Sequence, residues 1–137
     1  MIESGVPLSA RKELFQGVHD FNNDTFKIAL YDNSADLTLT GTTAYTTAGE
    51  VVATDYVAGG VLLTGGVIGD DNKVATVDFN NVVVPGVGMT VRAAIVYNSS
   101  KSNRAVRIMD LGLSEGPVTN PILTMPTPNA ETAIIRM

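Results

Sequence analysis

Apolar and polar residues alternate most regularly in the range 25–33. Phe26, Ile28 and Leu30 fall on one face of an extended chain, and the residues between them fall on the other face. A period of two residues is the pattern of a β-strand with one buried face. We therefore predict a half-buried strand over 25–33.

Further apolar runs predict more strands. The ranges 90–97 and 104–111 are expected to form a hairpin across a polar loop of six residues, 98–103. The range 73–80 alternates again, and 132–137 has the composition of a last strand. Short strands at this spacing are typical of a sandwich or barrel, and we expect about seven to nine of them.

The connections between these strands carry turn residues. The Thr-rich stretch 33–49 is predicted as a long ordered loop, and Thr47 with Glu50 has the spacing of a capping box that would open a short helical turn. The range 70–72 is acidic and Asn-containing, and it is predicted as the turn before the next strand.

One segment near the N-terminus, 8–21, has a helical pattern of useful length. Ser9 is its candidate N-cap. Apolar residues at spacings of three and four mark one stripe of the predicted helix: Leu14, Phe15, Val18 and Phe21. An extended arm that packs Phe15 and Phe21 onto a neighbouring protein remains an alternative, because Gly17 lowers the helix propensity.

Composition agrees with one all-β domain. The chain has 137 residues, of which 45% are apolar, and its 13 glycines and 6 prolines are typical of strands joined by tight turns. We divide it into an N-terminal arm or short helix, 1–24, and an antiparallel β-sandwich domain, 25–137.

Charge and cysteine content narrow the possible partners. The net charge is −5 and the nine basic residues are scattered, so we expect no nucleic acid partner. No stretch approaches the roughly 18 apolar residues of a membrane span, so we expect no membrane partner. The absence of cysteine excludes disulfides, thiolate nucleophiles and sulfur ligands for zinc.

Few residues offer catalytic chemistry. His19 is the one histidine, no G-x-S-x-G motif presents a serine nucleophile, and the glycine pairs at 59–60 and 65–66 lack the residues of a phosphate-binding loop. We predict that the protein is not an enzyme. An enzyme with an unfamiliar carboxylate site at Asp70 or Asp110 is the competing hypothesis.

Two groups of oxygen-bearing residues are candidate calcium ligands, one at Asp20, Asn22 and Asp24 and the other at 70–72. Neither continues into a calcium-binding loop with its glycine and terminal glutamate, so we predict turns and no metal or cofactor. Asp110, near Arg104 and Arg107 in sequence, is predicted to face solvent, with ion pairing near a subunit contact as the alternative.

Several segments follow one another in a suggestive order over most of the chain. They are Phe-Lys-Ile-Ala-Leu-Tyr at 26–31, Ala-Tyr-Thr-Thr at 44–47 running to Glu50-Val51, Tyr-Val-Ala-Gly-Gly at 56–60, Ile-Val-Tyr-Asn at 95–98, Lys-Ser-Asn-Arg-Ala-Val at 101–106 and Asp-Leu-Gly at 110–112. Together they resemble a family of small virion proteins of tailed phages, of the cement or decoration type.

The resemblance implies a jelly-roll-like sandwich, with the strand order still open. It also implies a structural protein on the capsid surface of a virion, which binds the major capsid protein and copies of itself as a homo-oligomer in the particle. The alternative is a head-fibre or tail-associated module that binds the host or a glycan. That function requires an exposed aromatic cluster drawn from the four tyrosines: Tyr31, Tyr45, Tyr56 and Tyr97.

Apolar residues at both ends of the chain lie outside the strongest strand patterns. Exposed ends of this kind would be frayed or adhesive in a monomer. We therefore predict that residues 1–24 and the Pro-rich tail carry assembly contacts, with these protein-binding residues: Ile2, Val6, Leu8, Phe15, Phe21, Ile122, Ile134, Ile135 and Met137. The alternative is that both ends complete the chain's own sandwich.

Overall fold

The computed structural model describes residues 1–112, 117–123, 125 and 135–136. The described part is mostly β, with antiparallel strand pairs and one short helix, which confirms the predicted all-β class. Its elements in chain order are α1 (Leu8–Phe15), β1 (Phe26–Tyr31), β2 (Val61–Leu62), β3 (Val67–Asp71), β4 (Val74–Asp78), β5 (Val82–Val83), β6 (Ala93–Asn98), β7 (Arg104–Asp110), β8 (Ile122–Leu123) and β9 (Ile135–Arg136).

The strands of the described ranges form three sheets. The largest has the order β2-β1-β6-β7, a second has the order β3-β4-β9, and β5 pairs with β8. Of the predicted last strand, 132–137, the structure describes β9, which pairs with β4.

The central strands of the main sheet, β1 and β6, are buried on both faces, so the prediction of a half-buried first strand is wrong. A first core on one face includes Phe26, Ile28, Leu30, Val96, Val77 and Ile135. A second core on the other face includes Ala29, Tyr31, Ala35, Leu37, Ile95, Tyr97 and Ile108. The second core exists because the predicted long loop folds back over the sheet and brings Ala35 and Leu37 with it.

The predicted hairpin is confirmed as β6 and β7. Every residue of β6 is buried, because β1 and β7 flank it and both cores cover it. Val96 pairs with Arg107 and Tyr97 pairs with Ala105, which leaves Val106 as an extra residue in β7. Such a bulge bends a strand and increases its twist locally.

The hairpin of β3 and β4 corrects the predicted turn. Asp70 and Asp71 belong to β3, and the turn is formed by Asn72 and Lys73, whose φ angles are 46° and 69°. Two consecutive residues with positive φ are typical of the tight turns that match strand twist. Sequence patterning missed β3 because most of its residues are exposed and therefore show no alternation.

The helix is shorter than predicted and begins differently. Pro7 occupies the N-cap, so Ser9 lies inside the first turn and caps nothing. Gly17, with φ +70°, follows the helix and ends it. The predicted stripe is wrong, since Phe15 is 83% exposed while Phe21 lies beyond the helix and inside the first core.

The first residues of the chain are hydrogen bonded to the sheet and to the long loop. The N–H of Gly5 donates to the carbonyl of Ile108 at 2.9 Å, and the N–H of Ile108 donates back at 2.8 Å. Ile2 forms a parallel bridge with Leu37. Gly5 therefore forms an isolated bridge beside β7, and Ile2 joins the start of the chain to the long loop.

Candidate protein-binding groove

An apolar groove of about 370 Å³ runs along α1 and brings several predicted contact residues together. Four of the candidates, Val6, Leu8, Phe15 and Ile135, line it. We call this surface the α1 groove, and its full lining is Val6, Leu8, Arg11, Lys12, Leu14, Phe15 and Ile135.

The spacing of residues along α1 explains the groove. Positions 8, 11, 12 and 15 share one face of a helix, because side chains three and four residues apart are neighbours. This face is apolar at both ends and carries two cations, Arg11 and Lys12, between them. The opposite face buries Ala10 and Glu13. Sequence reasoning missed the two cations, although the same spacing identifies them.

Arg11 and Lys12 give the α1 groove a positive rim. Both are exposed, and among the described residues no carboxylate pairs with either of them. Phe15, at 83% exposed, and Leu8, at 37%, present apolar surface beside these charges. The arrangement suits an extended segment that carries both apolar and acidic side chains.

The remaining candidates are dispersed. Phe21 stacks on Phe26 with 4.8 Å between the ring centroids and is buried, so it completes the chain's own core instead of facing a partner. Ile135 is also buried, at the floor of the α1 groove. Ile2 packs on the second core, and Ile122 is exposed on β8, outside the groove lining. Ile134 and Met137 lie outside the described residues.

Glu50 is buried among tyrosine hydroxyls, so the predicted capping box is wrong. The hydroxyls of Tyr45 and Tyr56 donate to its carboxylate, the latter at 2.8 Å, and the N–H of Gly59 donates at 2.8 Å. Tyr97 stacks on Tyr45 with 4.9 Å between the ring centroids and donates its hydroxyl to the carbonyl of Gly59. This carboxylate thus joins the loop to the second core.

The tyrosines lie in the interior and do not form a binding platform. Burial, together with the negative charge of Glu50, raises the pKa of all four tyrosines, so their hydroxyls remain protonated donors. Tyr31 is fully buried and Tyr97 is 3% exposed, while Tyr45 and Tyr56 are half-buried. The exposed aromatic cluster that glycan binding requires is therefore not formed by these residues.

A second polar network joins α1 to the β6–β7 hairpin through His19. Glu13 accepts from Arg104 at 2.6 Å and lies 3.1 Å from Nε2 of His19. The other ring nitrogen, Nδ1, lies 3.0 Å from the side-chain amide of Asn98. Since the amide N–H donates to Nδ1, the neutral ring carries its proton on Nε2 and donates to Glu13. Both ring nitrogens of this buried histidine therefore hold structural contacts.

Asp24 belongs to the same network, because the side-chain amide of Asn98 also donates to its carboxylate. Its environment leads to a prediction about stability in acid. Desolvation opposes its ionisation, but hydrogen bonds from Asn98, the backbone of Asp20 and Lys101 outweigh it and lower the pKa from 3.8 to about 2. Stability linked to a lowered pKa is present above pH 3.8 and is lost as the pH falls through 2. We expect Asp24→Asn to lower the free energy of unfolding by about 1–2 kcal/mol at pH 7, after allowance for solvent screening. Urea denaturation at pH 7 and pH 2 measures the loss, which should shrink at the lower pH.

Asp78→Asn is the matched control, because burial raises the pKa of Asp78. A carboxyl group with a raised pKa contributes stability below pH 3.8, and this contribution is lost as the pH rises and the group ionises. Asparagine stays neutral at every pH, so Asp78→Asn should be as stable as the wild type at pH 7, or more stable. Equal losses of unfolding free energy in Asp24→Asn and Asp78→Asn would contradict the opposite pKa shifts of the two carboxyl groups.

Three of the acidic candidates for metal or catalytic sites, Asp20, Asp24 and Asp110, have structural partners. Asp20 accepts the N–H groups of Asn22 and Asn23, a turn geometry that occupies the carboxylate. Asp110 forms a two-point contact with Arg92 at 2.9 and 3.2 Å, instead of pairing with Arg104 or Arg107. In the described ranges no three His, Cys, Asp or Glu residues gather as a metal site.

Comparison with known proteins finds no family model, no curated protein and no solved structure that matches this chain. In the part of the chain that the structure describes, no helix has the length and apolar character needed to span a bilayer.

Proposed function

We propose that this protein is a structural protein of a tailed-phage virion, of the cement or decoration type. In this proposal it lies on the capsid surface and binds the major capsid protein and copies of itself. The observation that carries the proposal is the α1 groove, which exposes an aromatic and an aliphatic side chain beside two cations on one helix.

The energetics of this surface favour a protein partner. Phe15, which is 83% exposed, would contribute roughly 1.5–3 kcal/mol if a partner buried it fully, before the costs of ordering the interface. Leu8 would contribute roughly a third of that amount, because only 37% of its surface is exposed. Such a contact is modest for one molecule. Repeated over many copies on a shell, it gives strong attachment, because multivalent binding multiplies weak contacts.

We extend the proposal to the finer architecture, a jelly-roll-like sandwich. The four-stranded and three-stranded sheets contribute to the same first core, with Ile28 and Val96 from one sheet and Val77 and Ile135 from the other. Two antiparallel sheets that share a core are the basic arrangement of a sandwich.

Cosedimentation with particles that lack this protein tests the proposed function. We expect saturable binding of the purified chain, and we expect Phe15→Asp to weaken it by about tenfold or more, since a charge would replace buried apolar surface. Val52→Asp is the matched control, because Val52 is 97% exposed and lies outside the α1 groove.

Failure of the wild-type chain to bind these particles would refute the proposal. Chemical-shift changes on titration with sugars, in place of particle binding, would favour the host-binding or glycan-binding function.

A further inference from the structure

We infer that the α1 groove accepts the exposed edge of β3 from a second copy of this chain. The inference deepens the proposed function, on which it rests, by naming one partner of the groove and the segment that enters it. It is carried by two surfaces of complementary chemistry that one molecule presents at different places.

The first surface is the edge of β3. This strand pairs with β4 on one side, and among the described residues no strand pairs with its other side. Val67 is 56% exposed and Ile68 is 51% exposed. These two neighbouring residues of β3 therefore present apolar surface that a second molecule can cover.

The second surface is the α1 groove, whose charge is opposite to that of the β3 edge. The apolar pair Val67 and Ile68 is followed by the exposed carboxylate of Asp70. The groove combines apolar side chains with Arg11 and Lys12. Apolar surface can therefore meet apolar surface while the Asp70 carboxylate meets a cation, and such complementarity steers association and fixes the register.

The spacing of the groups also matches. Ile68 and Asp70 share one face of β3, and residues two apart on a strand are separated by roughly 7 Å. Arg11 and Phe15 share one face of α1, and residues four apart on a helix are separated by about 6 Å along the axis. Ile68 can thus contact Phe15 while Asp70 faces Arg11.

The sheet order makes this contact head-to-tail. β3 and β9 are the two outer strands of the three-stranded sheet, and Ile135 of β9 lies at the floor of the groove. When the β3 edge of one copy enters the groove of the next, the first copy keeps an open groove and the second keeps an open β3 edge. Such a contact adds further copies until a ring closes or a filament forms.

Sedimentation velocity across micromolar to millimolar concentrations tests the inference. We expect the wild-type chain to self-associate, and more weakly in high salt because salt screens exposed charges. Arg11→Glu and Asp70→Arg should each weaken the association about tenfold or more, since each brings like charges together.

An equimolar mixture of the two variants gives the sharpest result. The acidic groove of Arg11→Glu suits the basic edge of Asp70→Arg, and the unaltered surfaces of the two variants also match, so the mixture should associate like the wild type. Val52→Asp is the control for an added charge outside both surfaces and should leave association unchanged. Circular dichroism verifies that each variant is folded.

A wild-type chain that stays monomeric, variants that associate normally, or a mixture that does not recover would each overturn the inference. A monomeric chain that still binds particles would leave the capsid-binding part of the proposed function intact. Self-association through the groove without particle binding would refute the proposed function alone.

Discussion

Replacing Gly60 with alanine is expected to lower the free energy of unfolding by about 4 kcal/mol or more. Gly60 has φ +75°, and a Cβ there would lie 1.8 Å from the carbonyl oxygen of Ile28 and 2.6 Å from its carbonyl carbon. Ile28 belongs to β1, which β2 and β6 hold on both sides. The strand cannot withdraw without breaking the main sheet, so the clash must distort the backbone.

Gly88→Ala separates steric clash from backbone strain. Gly88 also has a positive φ, +64°, but a Cβ there meets nothing within 4 Å. Gly88→Ala should therefore lower the free energy of unfolding by about 1 kcal/mol, the cost of placing an alanine in the left-handed region. Chemical denaturation measures both variants, and equal losses would show that the approach to β1 is unimportant.

Glu50→Ala is the second substitution with a large expected effect, a loss of about 3 kcal/mol or more. It removes the acceptor of the Tyr45 and Tyr56 hydroxyls and of the Gly59 N–H, at a position that is only 7% exposed. Buried donors without partners carry their full desolvation penalty. Thermal or urea denaturation measures the loss.

Glu50→Gln is the matched control, since glutamine has a similar shape and keeps one carbonyl acceptor. It should cost about 1 kcal/mol. Combining Glu50→Ala with Tyr45→Phe should cost less than the sum of the two single losses, because both substitutions remove the same hydrogen bond. Full additivity, or a stable Glu50→Ala variant, would show that the carboxylate does not organise the cluster.

Local patterns predicted the hairpin of β6 and β7, and long-range packing limited the other predictions. The hairpin depends on alternation and on a nearby loop, which the sequence displays directly. The second buried face of β1 depends on Leu37 in the folded-back loop, which periodicity cannot reveal. β3 has no buried face to show a pattern.

The candidate site was also predicted only in part, because local sequence patterns do not show long-range packing. Apolar residues near the ends indicated Leu8 and Phe15, which the groove brings together. Phe21 is also an apolar residue near the N-terminus, yet it lies in the first core and stacks on Phe26. Glu50 was missed because its donors, Tyr45, Tyr56 and Gly59, are assembled by the course of the loop and follow no recognised motif.

The pairing of β1 with β6 has a consequence for how the chain acquires its structure. Phe26 pairs with Asn98 and Tyr31 pairs with Ala93, so the central ladder joins segments 62 to 72 residues apart. Contacts of such long range form only after a long loop has closed, so the entropy cost of closure comes before their stabilising energy. Proteins rich in such contacts fold slowly. During synthesis β1 leaves the ribosome well before β6 exists. Until β6 follows, only the two residues of β2 can pair with β1, which is therefore open to aggregation.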